Sequence, residues 1–471
     1  MRALYNGIAG EINFVYIPQV LSKKDSNLNE FTGNPWRPDG EQGKSHSAQR
    51  QNTPVTAQDH FDAARHAQEQ KQFQLAAEHC RKAVELDPGY LDAWFYLGYN
   101  LMDLKLYEEA IGAFLKAVEI EKDSDYFKPF SCYNIGLSYY NLIRDEEALG
   151  WFNQAVALKP DYVPAINYIG LIYYLKKEYD TAIGYFNRCL HFDPKYIYAY
   201  YNLGRCYYYQ FKDDAALEKF MKALAIDPDH VESNNYAGLV YLNKKLYPTA
   251  IGYLHKAFTL DPQFAAPAYN LGILHYEQKQ YPQALEYFYK TLQIDPNHAD
   301  ACNYIGLTYH DQKMWDQAIA YYHKTLAIQP DYKFALYNLG LTYYHQKDYA
   351  HSIEFYEKCL VIDPTYVSCQ YNLGLAYYQD NRTSIALRHF EEAVRLKHDH
   401  HNAQYYCGLI YHAMGLHEKA MHVVDELKKI DYPTAKDLYK EITGKELTAA
   451  TAPPPGDKPR DEQFGPSHRD H

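Results

Sequence analysis

IYAYYNLGRCYYYQFKDDAALEKFMKALAIDPDH, residues 197–230, is one period of a pattern that fills most of the chain. Units of 34 residues in the same register begin at 57, 91, 129, 163, 197, 231, 265, 299, 333, 367 and 401, interrupted once by the insertion Asp125 to Lys128. A fixed period of this length marks stacked supersecondary units, each of which buries its apolar face only against its neighbours. Position 8 is Ala64 in the first unit and glycine from Gly98 to Gly408 in the other ten. Position 20 is alanine throughout, as in Ala216, except for Ser352. Two small residues twelve apart let two antiparallel helices cross closely, and that need explains glycine in mid-helix, where it costs about 1 kcal/mol against alanine.

The apolar spacing predicts that positions 4, 7, 8 and 11 of the first helix are buried, in the fifth unit Tyr200, Leu203, Gly204 and Tyr207. The second helix continues with Ala216, Phe220 and Ala223, and Pro228 at position 32 ends the unit, because proline cannot continue a helix. The same proline recurs at 88, 160, 194, 262, 296, 330 and 364; Lys122 and His398 replace it, and Pro433 falls one residue late. After it, Ala435, Leu438, Tyr439 and Ile442 lie at helical spacing before Gly444.

These small, aromatic and proline positions resemble the tetratricopeptide repeat family across residues 57–434. The resemblance implies an all-α, right-handed superhelical solenoid of about eleven helical hairpins. The expected organisation is a disordered leader at 1–56, the repeats at 57–434, a capping helix at 435–447 and a disordered Pro-rich tail at 448–471.

Of the net charge of −12, all resides in residues 57–447, with 38 Lys/Arg against 50 Asp/Glu. An acidic body without a basic stripe repels phosphate backbones and anionic lipid, so nucleic acid and membrane are not expected partners. No run of apolar residues is long enough to insert in a membrane, and Glu11 and Asn13 interrupt any leader peptide, which makes the expected location cytoplasmic. The eight cysteines form no CxxC pair and read as buried thiols, with neither disulfide nor metal expected. His398, His400 and His401 with Asp399 read as a polar turn, and Gly43-Lys44-Ser45 lacks the earlier glycine of a phosphate loop, where Pro38 stands. No HExxH, GxSxG or GxGxxG occurs, and repeats and tails use the whole chain; no enzyme and no cofactor is expected.

Tyrosine is the compositional anomaly, 51 residues against 20 phenylalanines. Asparagine stands at position 6 in Asn134, Asn202, Asn270 and Asn338 and at position 5 in Asn167, Asn235 and Asn303, with tyrosine in the other place each time. The order alternates with a period of two units until Tyr371-Asn372 breaks it. In the family these positions line the concave groove. The position 6 residues, Asn372 included, are similar to the asparagines of O-linked N-acetylglucosamine transferase that hold peptide backbone. An amide donates and accepts at once, so it can grip a peptide group or bond to the adjoining helix; the residues alone admit both. Position 12 adds Tyr140, Tyr174, Tyr208, Tyr276, Tyr344 and Tyr378 as a peptide-facing surface, and position 9 a row of leucines. Tyrosines at position 11 are assigned to the core. Positions 2, 5 and 6 lack the cations that grip chaperone C-termini. The expected function is a non-enzymatic adaptor for an extended peptide; the alternatives are a self-assembling scaffold, hence a possible homo-oligomer, and a regulatory or targeting subunit of a separate enzyme.

Overall fold

The computed structural model describes residues 56–121, 127–445 and 447. Twenty-three α-helices and no strand occur among them. The expected leader (apart from Thr56), the whole tail segment 448–471 and residues 122–126, with the start of the insertion, lie outside the described residues. Each hairpin has a first helix at positions 1–13 and a second at 17–30, as in Ile197–Tyr209 and Asp213–Ile226, except that the third begins one residue early, at Lys128. Hairpins one to six form one compact unit ending at Asp261, and hairpins seven to eleven a second from Pro262. Within each unit a first helix packs between two second helices, its own and the preceding one, and also touches the first helices beside it.

That sandwiching buries more than the predicted stripe: positions 3 and 10 join positions 7 and 8, for example Ala199, Leu203 and Cys206, or Ala335, Leu339 and Thr342. Position 4 is buried from Cys132 to Gln404 except at Tyr200. Tyr200 and Tyr207 are only half-buried. The position 11 tyrosines therefore do not belong to the core, Tyr377 excepted. Several stack on a ring at position 23 of the same hairpin: Tyr173 on Tyr185 (5.5 Å), Tyr241 on Tyr253 (5.4 Å), Tyr343 on Phe355 (5.6 Å). The hydroxyls of Tyr377 and Tyr411 donate to Glu357 and Glu391, at position 25 of the preceding hairpin. A tyrosine stripe can thus be apolar in sequence and sit at an outer seam, with the ring covered and the hydroxyl tied to the neighbour.

Positions 8 and 20 do meet, as where Ser352 Oγ donates to Gly340 O (2.8 Å), but the side chain that needs the absent Cβ stands elsewhere. A Cβ at Gly170 would lie 2.7 Å from Cε1 of Phe186, and one at Gly136 2.8 Å from Phe152. The obstructing residue stands at position 24 in hairpins two to ten; at Gly408 it is Leu438, from the final helix. Hairpin one has the complementary pair, Ala64 with Cys80, both fully buried.

The turn between the two helices puts position 15 in the left-handed region in every hairpin, from Lys71 (φ 58°) through Asn381 (φ 60°) to Gly415 (φ 77°). The amide of that residue and the next bond back to the helix end, as Phe211 to Tyr208 and Lys212 to Tyr207. Ile143 holds this conformation with a β-branched side chain (φ 61°) that is exposed. Relieving it by Ile143→Gly is expected to stabilise the third hairpin by about 1 kcal/mol, read as a rise in the denaturation midpoint. A midpoint that falls would refute the strain.

Between hairpins, the aspartate before proline accepts from the backbone two residues on, as Asp193 from Lys195 (2.9 Å) and Asp363 from Thr365 (3.1 Å). Histidine at position 34 caps the next helix: His230, His298 and His400 accept from Ser233, Ala301 and Ala403 through Nδ1. His400 is therefore engaged as a cap. The last helix runs from Tyr432 to Thr443, beginning earlier than the spacing of its apolar residues suggests. Pro433 sits in its first turn, where a missing N–H is harmless, so it is not a displaced repeat proline. Its Ala435 and Leu438 pack with Val424 and Leu427 and cover the eleventh hairpin.

Candidate functional site

The first helices bring the asparagines and tyrosines to their junctions. Asn202 Nδ2 donates to Asn167 Oδ1 (3.1 Å), and Asn338 Nδ2 to Asn303 Oδ1 (3.2 Å), each bond joining position 6 to position 5 of the preceding hairpin. At the alternate junctions the same two positions carry rings: Tyr133 meets Tyr168 at 5.9 Å, Tyr201 meets Tyr236 at 5.8 Å, and Tyr269 meets Tyr304 at 5.8 Å. The two-unit alternation in the sequence is the alternation of amide clasps and ring clasps. Where it breaks, Asn372 Nδ2 donates to the hydroxyl of Tyr337 (2.8 Å). Asn134, with no asparagine before it, donates to Phe130 O of its own helix (2.9 Å).

Asn134, Asn167, Asn202, Asn235, Asn270, Asn303 and Asn338 are all buried; Asn372 is half-buried. The expectation of amides reading a peptide backbone thus meets residues placed inside the helix junctions, where a bonded amide stabilises and a stranded one costs about 1–3 kcal/mol.

The position 12 rings lie further out. Tyr140, Tyr208, Tyr276 and Tyr378 set an edge against the position 6 ring of the next hairpin, Tyr168, Tyr236, Tyr304 and Tyr406, at 5.3–5.7 Å. All four are half-buried, as is Tyr344. Tyr276 also donates to Asp311 (2.8 Å). Tyr174 is the exception: it is buried, with the Arg205 guanidinium 4.2 Å from its ring centre. Arg205 itself went unremarked in the sequence, although it replaces the leucine or isoleucine found at position 9 in every other hairpin from the third to the eleventh.

Burial pushes the thiols of Cys80, Cys189, Cys206 and Cys407 up to about 12, so they stay protonated and are poor nucleophiles. All eight cysteines are free and buried. No group of three His, Cys, Asp or Glu suited to a metal ion occurs among the described residues.

Family models described as tetratricopeptide repeat match residues 61–126, 131–162, 197–230, 263–331, 298–365, 335–399 and 371–435. The chain belongs to the tetratricopeptide repeat family. A segment of 47 residues is 45% identical to an uncharacterized protein of Methanocaldococcus jannaschii; it covers 10% of this tetratricopeptide chain and 55% of that protein. The chain thus spans about half the length of the curated relative it matches. Similar solved structures include the APC/C hetero-tetramer Cut9-Hcn1 (14% identity, 82% of this chain and 96% of that one, TM-score 0.45). Another is the human IFIT1 dimer with m7Gppp-AAAA (16% identity, 73% and 90%, TM-score 0.46). A third is YrrB, a tetratricopeptide protein with an unusual peptide-binding site (24% identity, 39% and 95%, TM-score 0.32). Tetratricopeptide arrays are a protein–protein interaction kind of scaffold. No helix of the described residues is long and apolar enough to cross a membrane.

Proposed function

We propose that this chain is a non-enzymatic adaptor that holds an extended peptide segment along the first-helix face of its hairpins. The observation that carries the reading is the half-buried tyrosine recurring at position 12, Tyr140 and Tyr208 in the first compact unit and Tyr276, Tyr344 and Tyr378 in the second. Each is held by its neighbours and keeps part of its ring exposed, so it offers a rigid apolar edge at little further entropy cost. The buried amides take the part of spacers: they keep successive hairpins in register and leave affinity to the rings and to the position 9 leucines. Hydrogen bonds alone would not hold an extended chain, since each nets about 1 kcal/mol while ordering each residue costs about 1–2 kcal/mol.

The test separates the two roles. Tyr140→Leu, Tyr208→Leu and Tyr344→Leu together keep the fold, because Leu242 stands at this position in the sixth hairpin. They are expected to weaken binding of extended peptides selected from a random library by about tenfold. Asn202→Ala is expected to do the reverse, lowering stability by about 1–3 kcal/mol while peptide affinity holds. Selected peptides that bind the triple variant unchanged would refute the reading.

A further inference from the structure

In the fifth hairpin the first-helix face carries a cation where its neighbours carry leucine. Arg205 is 5% exposed, and its guanidinium lies 4.2 Å from the ring centre of Tyr174 and 5.3 Å from that of Tyr201. Nη1 donates to Asn202 Oδ1 at 3.3 Å; Nε is buried with no acceptor. No Asp or Glu pairs with it among the described residues, whereas the far more exposed Arg81, Arg144, Arg382 and Arg395 each hold a carboxylate. Arg188, which also holds no carboxylate, donates to Pro160 O instead; Arg205 is the most buried of them all.

We propose that Arg205 is a recognition site for the side-chain carboxylate of an Asp or Glu in the extended partner segment; the inference rests on the peptide-binding reading above. A guanidinium stays charged under any ordinary condition, and a buried charge without a partner is costly to fold around. Rings over its faces recover part of that cost, but they supply no net negative charge. Burial raises the phenols of Tyr174, Tyr201 and Tyr209, so they remain neutral. What the guanidinium lacks is a planar two-oxygen acceptor, and a carboxylate matches its fork. A side chain fits better than a chain terminus. Hairpins lie before and after the fifth in the same unit, so a segment running along them would continue past Arg205 in both directions. Positions 2, 5 and 6 also carry no cluster of cations that a terminus would require.

The experiment uses the full chain with degenerate neutral peptides in three forms: amidated with one fixed central Glu, amidated with Gln in its place, and the Gln form with a free C-terminus. The Glu form is expected to bind at least about tenfold more tightly than the amidated Gln form. Arg205→Leu is expected to abolish that difference while leaving the Gln peptides bound, and Arg205→Lys to keep part of it. The Arg205→Leu protein should also melt no lower than the parent, because leucine or isoleucine occupies this position in the hairpins on either side. Equal affinity for Glu and Gln forms, or a preference that survives Arg205→Leu, overturns this inference alone. A gain confined to the free C-terminus overturns the side-chain assignment. A marked fall in the melting temperature of Arg205→Leu makes the guanidinium a pin for the rings and overturns it also. If none of the peptides binds the parent protein, the peptide-binding reading itself fails and takes this one with it.

Discussion

Gly170→Ala is expected to destabilise the fourth hairpin, although alanine is the better helix former. Propensity alone would favour the substitution by about 1 kcal/mol. Against it stands a Cβ 2.7 Å from Cε1 of Phe186, a ring with no exposed surface. Overpacking of a filled core costs about 1–3 kcal/mol, and an enclosed ring cannot swing aside, so the net loss should be up to about 2 kcal/mol. Gly170→Leu should cost more and open the hairpin altogether, seen as lost hydrogen-exchange protection across Val163–Phe192 while distant hairpins remain protected. The pair Gly170→Ala with Phe186→Cys reproduces what stands naturally at Ala64 and Cys80 and should cost less than the sum of the two single variants, because the smaller side chain leaves room for the added methyl. A stabilised Gly170→Ala protein would show that the glycine is not there to admit the ring.

The pairing of positions 8 and 24 marks how far the sequence could be read. Period, hairpins, closing prolines and a final covering helix all follow from residues that recur in one register, because each is a local requirement repeated many times. The partner of the glycine is not local. Position 20 drew attention because it is uniformly small, yet the residue that needs the space is the large one at position 24. The one available signal was the first unit, where Ala64 and Cys80 depart from the pattern together. Position 11 left the buried stripe for a related reason: tyrosine counts as apolar in any periodicity, and Tyr207, like Tyr200 at position 4, uses only part of its ring as core.

The face itself was legible as a set of positions and not as a set of roles. Alternating Asn and Tyr at positions 5 and 6 could be seen, but whether an amide faces a ligand or the next helix depends on the offset between successive hairpins, which no single period contains. The structure sets position 6 against position 5 of the hairpin before, and the alternation then becomes a rule of matching: Asn202 with Asn167, Tyr236 with Tyr201. Arg205 was hidden by the opposite effect. Attention to what repeats passes over the one position that does not, and a binding face is where a repeat protein has reason to depart from its own consensus.

His310 should be the largest histidine contribution to acid destabilisation between pH 7 and 4.5, opposed by Asp103, whose carboxyl burial pushes up to about 6 so that the folded state takes its proton first. Burial lowers the pKa of His310 to about 4, with His345 beside it adding to the effect. The hydroxyl of Thr342 donates to Asn338 O (2.7 Å), so it must accept from His310 Nδ1 (2.8 Å), which fixes the neutral tautomer with its proton on Nδ1. In the unfolded chain the same imidazole takes up a second proton near its ordinary 6.5. Between 6.5 and 4 the unfolded state therefore binds the extra proton, and stability falls as the pH is lowered through that window. From pH 7 to about 4.5, His310 alone should remove about 2 kcal/mol. Burial also lowers His79, His298, His323, His345, His389 and His400, so the loss is spread over several junctions and should act in the same direction. His310→Tyr places at position 12 the residue that Tyr276 and Tyr344 already supply on either side. Denaturant unfolding at pH 7 and 4.5 should show a smaller acid loss in this variant than in the parent by about 2 kcal/mol. Superimposable pH profiles would mean that His310 already takes its proton in the folded state, and the acid sensitivity would then have to arise elsewhere.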